Sequence, residues 1–347
     1  MESELMRAVV ITAPRTAVIQ NIRRWSPGPG DVLIRSHNVA ICTAERRMFS
    51  GAQSRFYPAI AGHELAGVVE WADESQSALK RGDHVALDVM IRCGHCYYCI
   101  RGRNNLCIDM YKTRKESECY IAGGGFAELL CVPAYKAVKL PQSTDLEQAS
   151  LVEPLACCLR SIKKAQLSFG DTVAILGAGT MGSLHTLLAK LWGARTIVTD
   201  IDEARLKFVK ELGADVTVNP LQDDPVQAVK DLTDGRGADA VIVTASAKKA
   251  GQQALTMVAR AGHIVIYSSL HPSEPLDLDW NRIHYEEITI TGTESKTDRD
   301  FREAAALLGS GAVNLRPLIS KVISLDELPA ELASSPTGET QRVVVSV

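Results

Sequence analysis

Residues 171 to 200, DTVAILGAGTMGSLHTLLAKLWGARTIVTD, constrain the fold of this chain more than any other stretch. TVAIL is a short apolar run of the kind buried on both faces of a sheet. MGSLHTLLAKLWG repeats its apolar residues at helical spacing and is closed by Gly193, and TIVTD is a second apolar run. EARLKFVKELG, a helix closed by Gly213, and the runs ADAVIVTA, GHIVIYSS and EEITITGT continue the series. Strands that alternate with helices predict an α/β fold with a parallel, doubly wound sheet over residues 156–294.

The first 155 residues read differently. RAVVITA, SPGPGDVLIRSHNVA, ELAGVVEWA and GDHVALDV are short β-like runs broken by turn signals, which predict a strand-rich domain with irregular connections. Near the end, DRDFREAAALLGSG reads as a helix and RVVVSV as a strand. Residues 295–347 are expected to fold back and complete the first domain.

Within the opening segment, AILGAGTMG supplies G-x-G-x-x-G through Gly177, Gly179 and Gly182. The triplet follows an apolar run and opens a helix at Thr180 and Met181. Asp200 ends the next run 18 residues after Gly182. In that context the spacing predicts a dinucleotide site rather than glycines that merely serve turns. Gly177 permits the tight turn, Gly179 lets the backbone approach a pyrophosphate, and Gly182 lets helix and strand pack closely. Amides at the helix start hold the phosphates. Asp200 accepts hydrogen bonds from ribose hydroxyls and repels a 2′-phosphate, so the reading is NAD. Arg205 keeps NADP open as an alternative.

Cys93, Cys96, Cys99 and Cys107 occur as C-x2-C-x2-C-x7-C in CGHCYYCIRGRNNLC. Four thiolates suit a tetrahedral zinc, and a closed all-sulfur site leaves no position for substrate. The final gap of seven residues departs from the iron–sulfur run with a gap of three. A zinc-ribbon nucleic-acid module is the alternative, but the chain carries a net charge of −3 and a pI near 6.3, which argues against it. The expected role is a structural zinc that staples a loop lacking its own core. The remaining cysteines outside the metal sets, Cys119, Cys131, Cys157 and Cys158, read as packing residues or incidental thiols.

With 347 residues, 46% of them hydrophobic, the chain is long enough for two cores. It has no signal-peptide pattern and no run approaching the ~20 apolar residues that span a bilayer. A cytoplasmic protein without nucleic-acid or membrane partners is expected.

A different ligand set comprises Cys42, the His63–Glu64 pair in AGHELAGVV and Glu153 in LVEPLACC. Zinc held by three protein groups keeps a position for a water or an alcohol oxygen. Spacing alone does not establish such a site, since a lone Cys and a lone His are commonly core residues.

Taken in order, PGPGDVLIR, AICTAERRMFSG, AGHELAGVV, GDHVAL, the four-cysteine lobe, GGGFAELLCVP, LVEPLACC and VAILGAGTMG resemble the zinc-containing medium-chain dehydrogenase/reductase family of alcohol and polyol dehydrogenases. The resemblance runs over nearly the whole chain. It implies a GroES-like catalytic domain (1–155, with the zinc lobe at 93–107, completed by 295–347) and a Rossmann domain (156–294), with the active site in the cleft between them. It also implies that Cys42 and His63 bind a catalytic zinc, with Glu64 or Glu153 completing its coordination. Two zinc ions per chain, NAD, a small-molecule alcohol or ketone substrate and a homotetramer or homodimer follow as expectations. The EPL stretch looks closest to sorbitol, threonine and sugar-alcohol dehydrogenases.

The departures from that pattern bear on the chemistry. Cys42 is followed by Thr43, Ala44 and Glu45. The hydroxyl that takes the substrate proton in the family is therefore missing at Ala44, and Thr43 stands one residue early, where it faces the cofactor if anything. Glu45 replaces the family's Asp and is expected to orient the metal site or to relay the proton. GTESKTDRDF stands where sorbitol dehydrogenases carry an aromatic stretch, which counts against sorbitol. Hydride transfer from a polyol, cyclitol or sugar derivative is the first expectation. A threonine-type amino alcohol is the runner-up, and Arg46 and Arg47 leave room for a sugar-alcohol phosphate. The non-enzyme alternative is a dinucleotide-binding relative that has lost catalysis.

Overall fold

Two sets of strands, each with its own hydrophobic core, account for the chain: one unit comprises Met1–Ala156 with Thr297–Val347, the other Cys157–Lys296. The computed structural model describes residues 5–52, 56–73, 75, 77–110, 114–116, 119–335 and 341–347, and the side chains of 114–116, 119 and 120, the Cys119 thiol included, lie outside that description.

The first unit begins with β1 (Leu5–Ala13), β2 (Thr16–Arg23), β3 (Asp31–Ala40), α1 (Thr43–Ser50), β4 (Ala59–Ile60), β5 (Glu64–Ala72) and β6 (His84–Leu87). It continues through β7 (Arg114–Glu116), β8 (Cys119–Ile121), β9 (Leu129–Pro133), β10 (Ala137–Lys139) and α2 (Leu146–Ala149), and enters α3 (Val152–Lys164). The second unit carries β11 (Thr172–Leu176), α4 (Thr180–Leu191), β12 (Arg195–Thr199), α5 (Glu203–Glu211), β13 (Val216–Val218) and α6 (Pro225–Asp231). It closes with β14 (Ala238–Val243), α7 (Lys248–Met257), β15 (Val258–Ile266), α8 (Trp280–Tyr285) and β16 (Thr289–Gly292). The chain then returns to the first unit with α9 (Asp298–Gly309), β17 (Ile319–Ser324), α10 (Leu328–Ala333) and β18 (Arg342–Ser346).

Among the described residues, the first unit forms a sheet in the order β2-β1-β4-β8-β7 and a larger one in the order β10-β6-β5-β3-β18-β17, with β9 also paired to β3. Residues such as Val32, Ile34, Val39, Leu65, Val69, Val85 and Leu130 bury one face of these strands in a common core. The register of three strands sets up the site. Ala40 at the end of β3 faces Glu64 at the start of β5 and, on its other side, Val344 of β18.

In the second unit the strands run parallel in the order β13-β12-β11-β14-β15-β16. The order reverses direction at β11, the topological switch point at which open α/β sheets bind ligands beyond their strand ends. Every residue of β11 is buried, so the apolar run TVAIL is explained by helices on both faces. Each fully buried Val, Ile or Leu there contributes roughly 1.5–3 kcal/mol relative to exposure. This is the GroES-like plus Rossmann-like α/β architecture. No helix among the described residues is long and apolar enough to cross a membrane.

Candidate active site

The β3–β5–β18 register brings three distant segments to one end of the larger sheet of the first unit: Cys42 just after β3, His63 and Glu64 entering β5, and Arg342 opening β18. Cys42 Sγ, a ring nitrogen of His63 and a carboxylate oxygen of Glu64 all lie within 4.8 Å of one another. His63 is delivered by a turn that needs glycine. Gly62 has φ +96°, and a Cβ there would stand 2.9 Å from the Phe126 amide nitrogen.

Glu45 organises this trio from inside α1. Its Oε2 accepts the Cys42 amide at 2.9 Å, the returning half of a capping box at the helix start. Its Oε1 takes the His63 Nδ1 at 2.5 Å and lies 3.3 Å from the amides of Gly62 and His63. Because Nδ1 is committed to a carboxylate, Nε2 is the nitrogen presented for ligation. Burial works against charge on both partners, but each steadies the other: Glu45 ends below the usual carboxylate range, and His63 well above the usual imidazole value.

Glu64 is buried, and its Oε1 accepts from Arg342 Nη2 at 2.8 Å. Burial pushes the Glu64 carboxyl up, Arg342 and His63 pull it down, Glu153 and Glu45 push it up again, and the net shift is upward. The same Arg342 nitrogen lies 3.6 Å from Cys42 Sγ. Arg342 carries no signal in its own sequence neighbourhood and is missed by sequence reasoning. Among the described residues, Glu64 Oε2 is buried without a hydrogen-bond partner. An orphaned carboxylate oxygen beside a thiol and an imidazole nitrogen is a sulfur–nitrogen–oxygen donor set that fits zinc.

The other residues named from the sequence divide. Glu153, in the first turn of α3, is buried and acts on Glu64 through its charge, but it is not one of the three whose donor atoms converge. Thr43 and Ala44 are exposed in the first turn of α1. Arg46 pairs with the Glu331 carboxylate at 2.7 Å and also donates to the carbonyls of Glu331 and Ser334. It is therefore held by its own fold and is not presented to a phosphate.

In the lobe, the thiols of Cys93, Cys96, Cys99 and Cys107 gather within 4.8 Å. Cys93 Sγ lies 3.5 Å from Cys107 Sγ and 4.0 Å from Cys99 Sγ. These values bracket the ~3.8 Å edge of a tetrahedron with metal–sulfur bonds of about 2.3 Å. Amides of Cys93 and Cys96 point at the sulfurs of Cys107 and Cys93. Amide donation from Ile108 and Cys99 pulls the Cys96 thiol down to about 6, while burial and the neighbouring thiols push Cys99 up to about 12. Four sulfurs this close ionise together only around a cation, so the lobe also fits zinc. The thiols of Cys131, Cys157 and Cys158 are buried outside both sets.

In the second unit, the fingerprint glycines have distinct reasons to be glycine. Gly177 has φ +113°, and a Cβ there would meet Thr244 Oγ1 at 2.7 Å; one on Gly182 would stand 1.8 Å from the Gly177 carbonyl oxygen. A Cβ on Gly179 would meet nothing within 4 Å. That open space lies at the N-cap of α4, a twelve-residue helix starting at Thr180 and Met181, where backbone amides attract a phosphate. Asp200 follows β12, with Oδ2 accepting the Ala178 amide at 2.7 Å and Oδ1 the Asp202 amide at 3.0 Å. Arg205 Nη1 lies 3.9 Å from Asp200. The donor set and the cradle both fit a dinucleotide.

Comparison with known proteins gives the family. Residues 28–142 match the model of the alcohol dehydrogenase GroES-like domain, and residues 180–310 that of the zinc-binding dehydrogenase domain. The L-threonine 3-dehydrogenase of Pyrococcus abyssi is 33% identical over 351 residues, covering 99% of each chain. A Sinorhizobium meliloti protein described as a zinc-binding dehydrogenase, solved bound to NADP, superposes with a TM-score of 0.92 at 30% identity over 99% of this chain and 100% of its own. The 2R,3R-butanediol dehydrogenase of Bacillus subtilis superposes with a TM-score of 0.87 at 26% identity over 99% of each chain. With both domain models matched and relatives aligned from end to end, the chain belongs to the zinc-containing medium-chain dehydrogenase/reductase family and is an oxidoreductase of the zinc-type alcohol dehydrogenase kind.

Proposed function

We propose that this oxidoreductase transfers a hydride between NAD and a secondary alcohol that carries a neighbouring hydroxyl, as in a polyol, a cyclitol or a sugar derivative. The observation that carries the reading is the convergence of Cys42, His63 and Glu64 around the unpartnered Glu64 Oε2. A zinc ion held there supplies Lewis-acid polarisation of the alcohol oxygen.

The chain's own groups do the rest. Cys42 places its sulfur at the N-cap of α1, where the helix favours negative charge. Glu45 fixes the His63 tautomer and ring, and Arg342 fixes Glu64 through its other oxygen. Both Glu45 oxygens are engaged by backbone amides or His63, which makes Glu45 a positioning group rather than the proton relay. Thr43 is too exposed to be assigned that step, and Ala44 has no hydroxyl for it. In the second unit, the Gly177–Gly182 loop and the start of α4 bind the pyrophosphate. Asp200 takes the ribose hydroxyls and disfavours a 2′-phosphate, while Arg205 softens that discrimination. A second zinc in the four-cysteine lobe is structural, giving two per chain.

A threonine-type amino alcohol is the second reading, favoured by the full-length match to a threonine dehydrogenase. Both readings place a heteroatom beside the carbinol carbon, as does the diol in the name of the Bacillus subtilis relative. The test assays polyols, cyclitols, butanediols and threonine with NAD and with NADP, alongside zinc content of wild type and Cys42→Ser. Zinc should fall from two per chain to one in Cys42→Ser, with turnover lost and NAD binding near normal. Undiminished turnover in that variant removes the catalytic-zinc assignment.

A further inference from the structure

The four-cysteine lobe has a second metal-ligating set. Cys93 Sγ, a ring nitrogen of His95 and a carboxylate oxygen of Asp109 lie within 4.8 Å of one another. His95 is exposed and Cys93 and Asp109 are half-buried, whereas Cys96 and Cys107 of the four-thiol set are buried. The mixed set thus has one exposed member, His95, whereas the four-thiol set is half-buried at Cys93 and Cys99 and buried at the other two.

Its members are held in place before any ion arrives. His95 Nδ1 lies 2.8 Å from the Cys93 carbonyl oxygen. A carbonyl only accepts, so Nδ1 is the donor in this contact and Nε2 is the ring nitrogen not used by it. The Asp109 amide hydrogen-bonds the Cys107 sulfur, which fixes the carboxylate's backbone to the same lobe. Cys93 belongs to both sets, and a thiolate sulfur has lone pairs enough to bridge two metals. Thiolate, imidazole and carboxylate together, with water as a fourth ligand, suit a divalent cation of the zinc class.

We propose that Cys93, His95 and Asp109 form a second, solvent-side divalent-cation site bridged to the four-thiol site through the Cys93 sulfur. The inference rests on the reading of the four cysteines as zinc ligands.

Cobalt tests it, because Co2+ binds such donors more weakly than Zn2+ and leaves resident zinc in place. The full-length protein, desalted until it retains two zinc ions per chain, is titrated with Co2+ alone, and zinc content is measured in the same samples. The expected result is a sulfur-to-cobalt charge-transfer band that saturates at one cobalt per chain with zinc unchanged, weakened about tenfold or more in His95→Ala and in Asp109→Asn. No band, a band of wild-type affinity in both variants, or a band that rises only as zinc leaves would overturn the proposal. Zinc content of Cys107→Ser separates this from its premise: a value equal to wild type removes the four-thiol reading itself.

Discussion

Arg342 donates from Nη2 to Glu64 Oε1 at 2.8 Å although 278 positions separate the two residues, and both are buried. Removing one partner of a buried pair leaves a charge without compensation, at a cost of ~3–5 kcal/mol. Arg342→Met is therefore expected to lower the melting temperature and, by driving the Glu64 carboxyl further up, to weaken zinc retention. Arg342→Lys should recover part of both. Thermal melts and zinc content check this, and wild-type values for Arg342→Met would show that the pair contributes nothing.

Glu45 should matter through His63 rather than through the substrate. Glu45→Gln keeps the size and removes the charge that holds Nδ1, and such partners typically account for about 10–100-fold in metal affinity or activity. Glu45→Asp restores the charge one methylene short and should fall between. Zinc dissociation rates measured with a chelator test the order wild type, Asp, Gln. An effect on kcat alone, with unchanged zinc release, would make Glu45 a proton relay after all.

Two alanines in one loop should have opposite signatures. Gly179→Ala adds a Cβ with nothing within 4 Å at an ordinary φ of −67°. It should fold as wild type and bind NAD roughly tenfold more weakly, about 1.4 kcal/mol. Gly182→Ala drives a Cβ to 1.8 Å from the Gly177 carbonyl oxygen, so it should lose stability by overpacking, on the order of 1–3 kcal/mol. Melting temperature and NAD affinity, measured on both, separate the cradle from the packing contact. Equal affinity losses with equal destabilisation would contradict this assignment.

His185 predicts an acid sensitivity of the second unit. It is buried on α4, with Nδ1 2.7 Å from the Met181 carbonyl oxygen and its ring edge-on to Tyr267. Burial pulls it from 6.5 down to about 4, against the upward pull of the Met181 carbonyl. Between those values the unfolded chain holds the proton and the folded chain does not. Stability is therefore full above pH 6.5 and declines as pH falls toward 4, by up to ~3 kcal/mol. His185→Phe should flatten the fall in melting temperature across that window relative to wild type. An unchanged slope would show that His185 does not titrate this way.

The α/β class and the dinucleotide loop were legible because their signals are local. TVAIL was read as a strand and is β11, all of it buried, and the glycines that follow it do open α4. The helix α1 was not read, because in TAERRMFS only Glu45 and Phe49 are buried and no apolar repeat exists to see. The start of α3 was hidden by Pro154, a residue that breaks helices in their interior but is tolerated in the first turn.

The sequence by itself determined the composition of the candidate centres: four thiols within one short loop, a glycine fingerprint between strand and helix, and the types of ligand at Cys42, His63 and Glu64. It determined them because each is a short segment whose chemistry does not depend on distant partners. Only the tertiary structure decided that Glu64 joins the converging donors while Glu153 acts on it through its charge, that Glu331 occupies Arg46, and that Arg342 completes the surroundings of Glu64. The meeting of Glu64 and Arg342 depends on the pairing of β3 with β5 and β18, and that of Arg46 and Glu331 on the packing of α1 against α10. Sheet register between segments hundreds of residues apart is set by burial of whole strand faces, and no local window of sequence carries it.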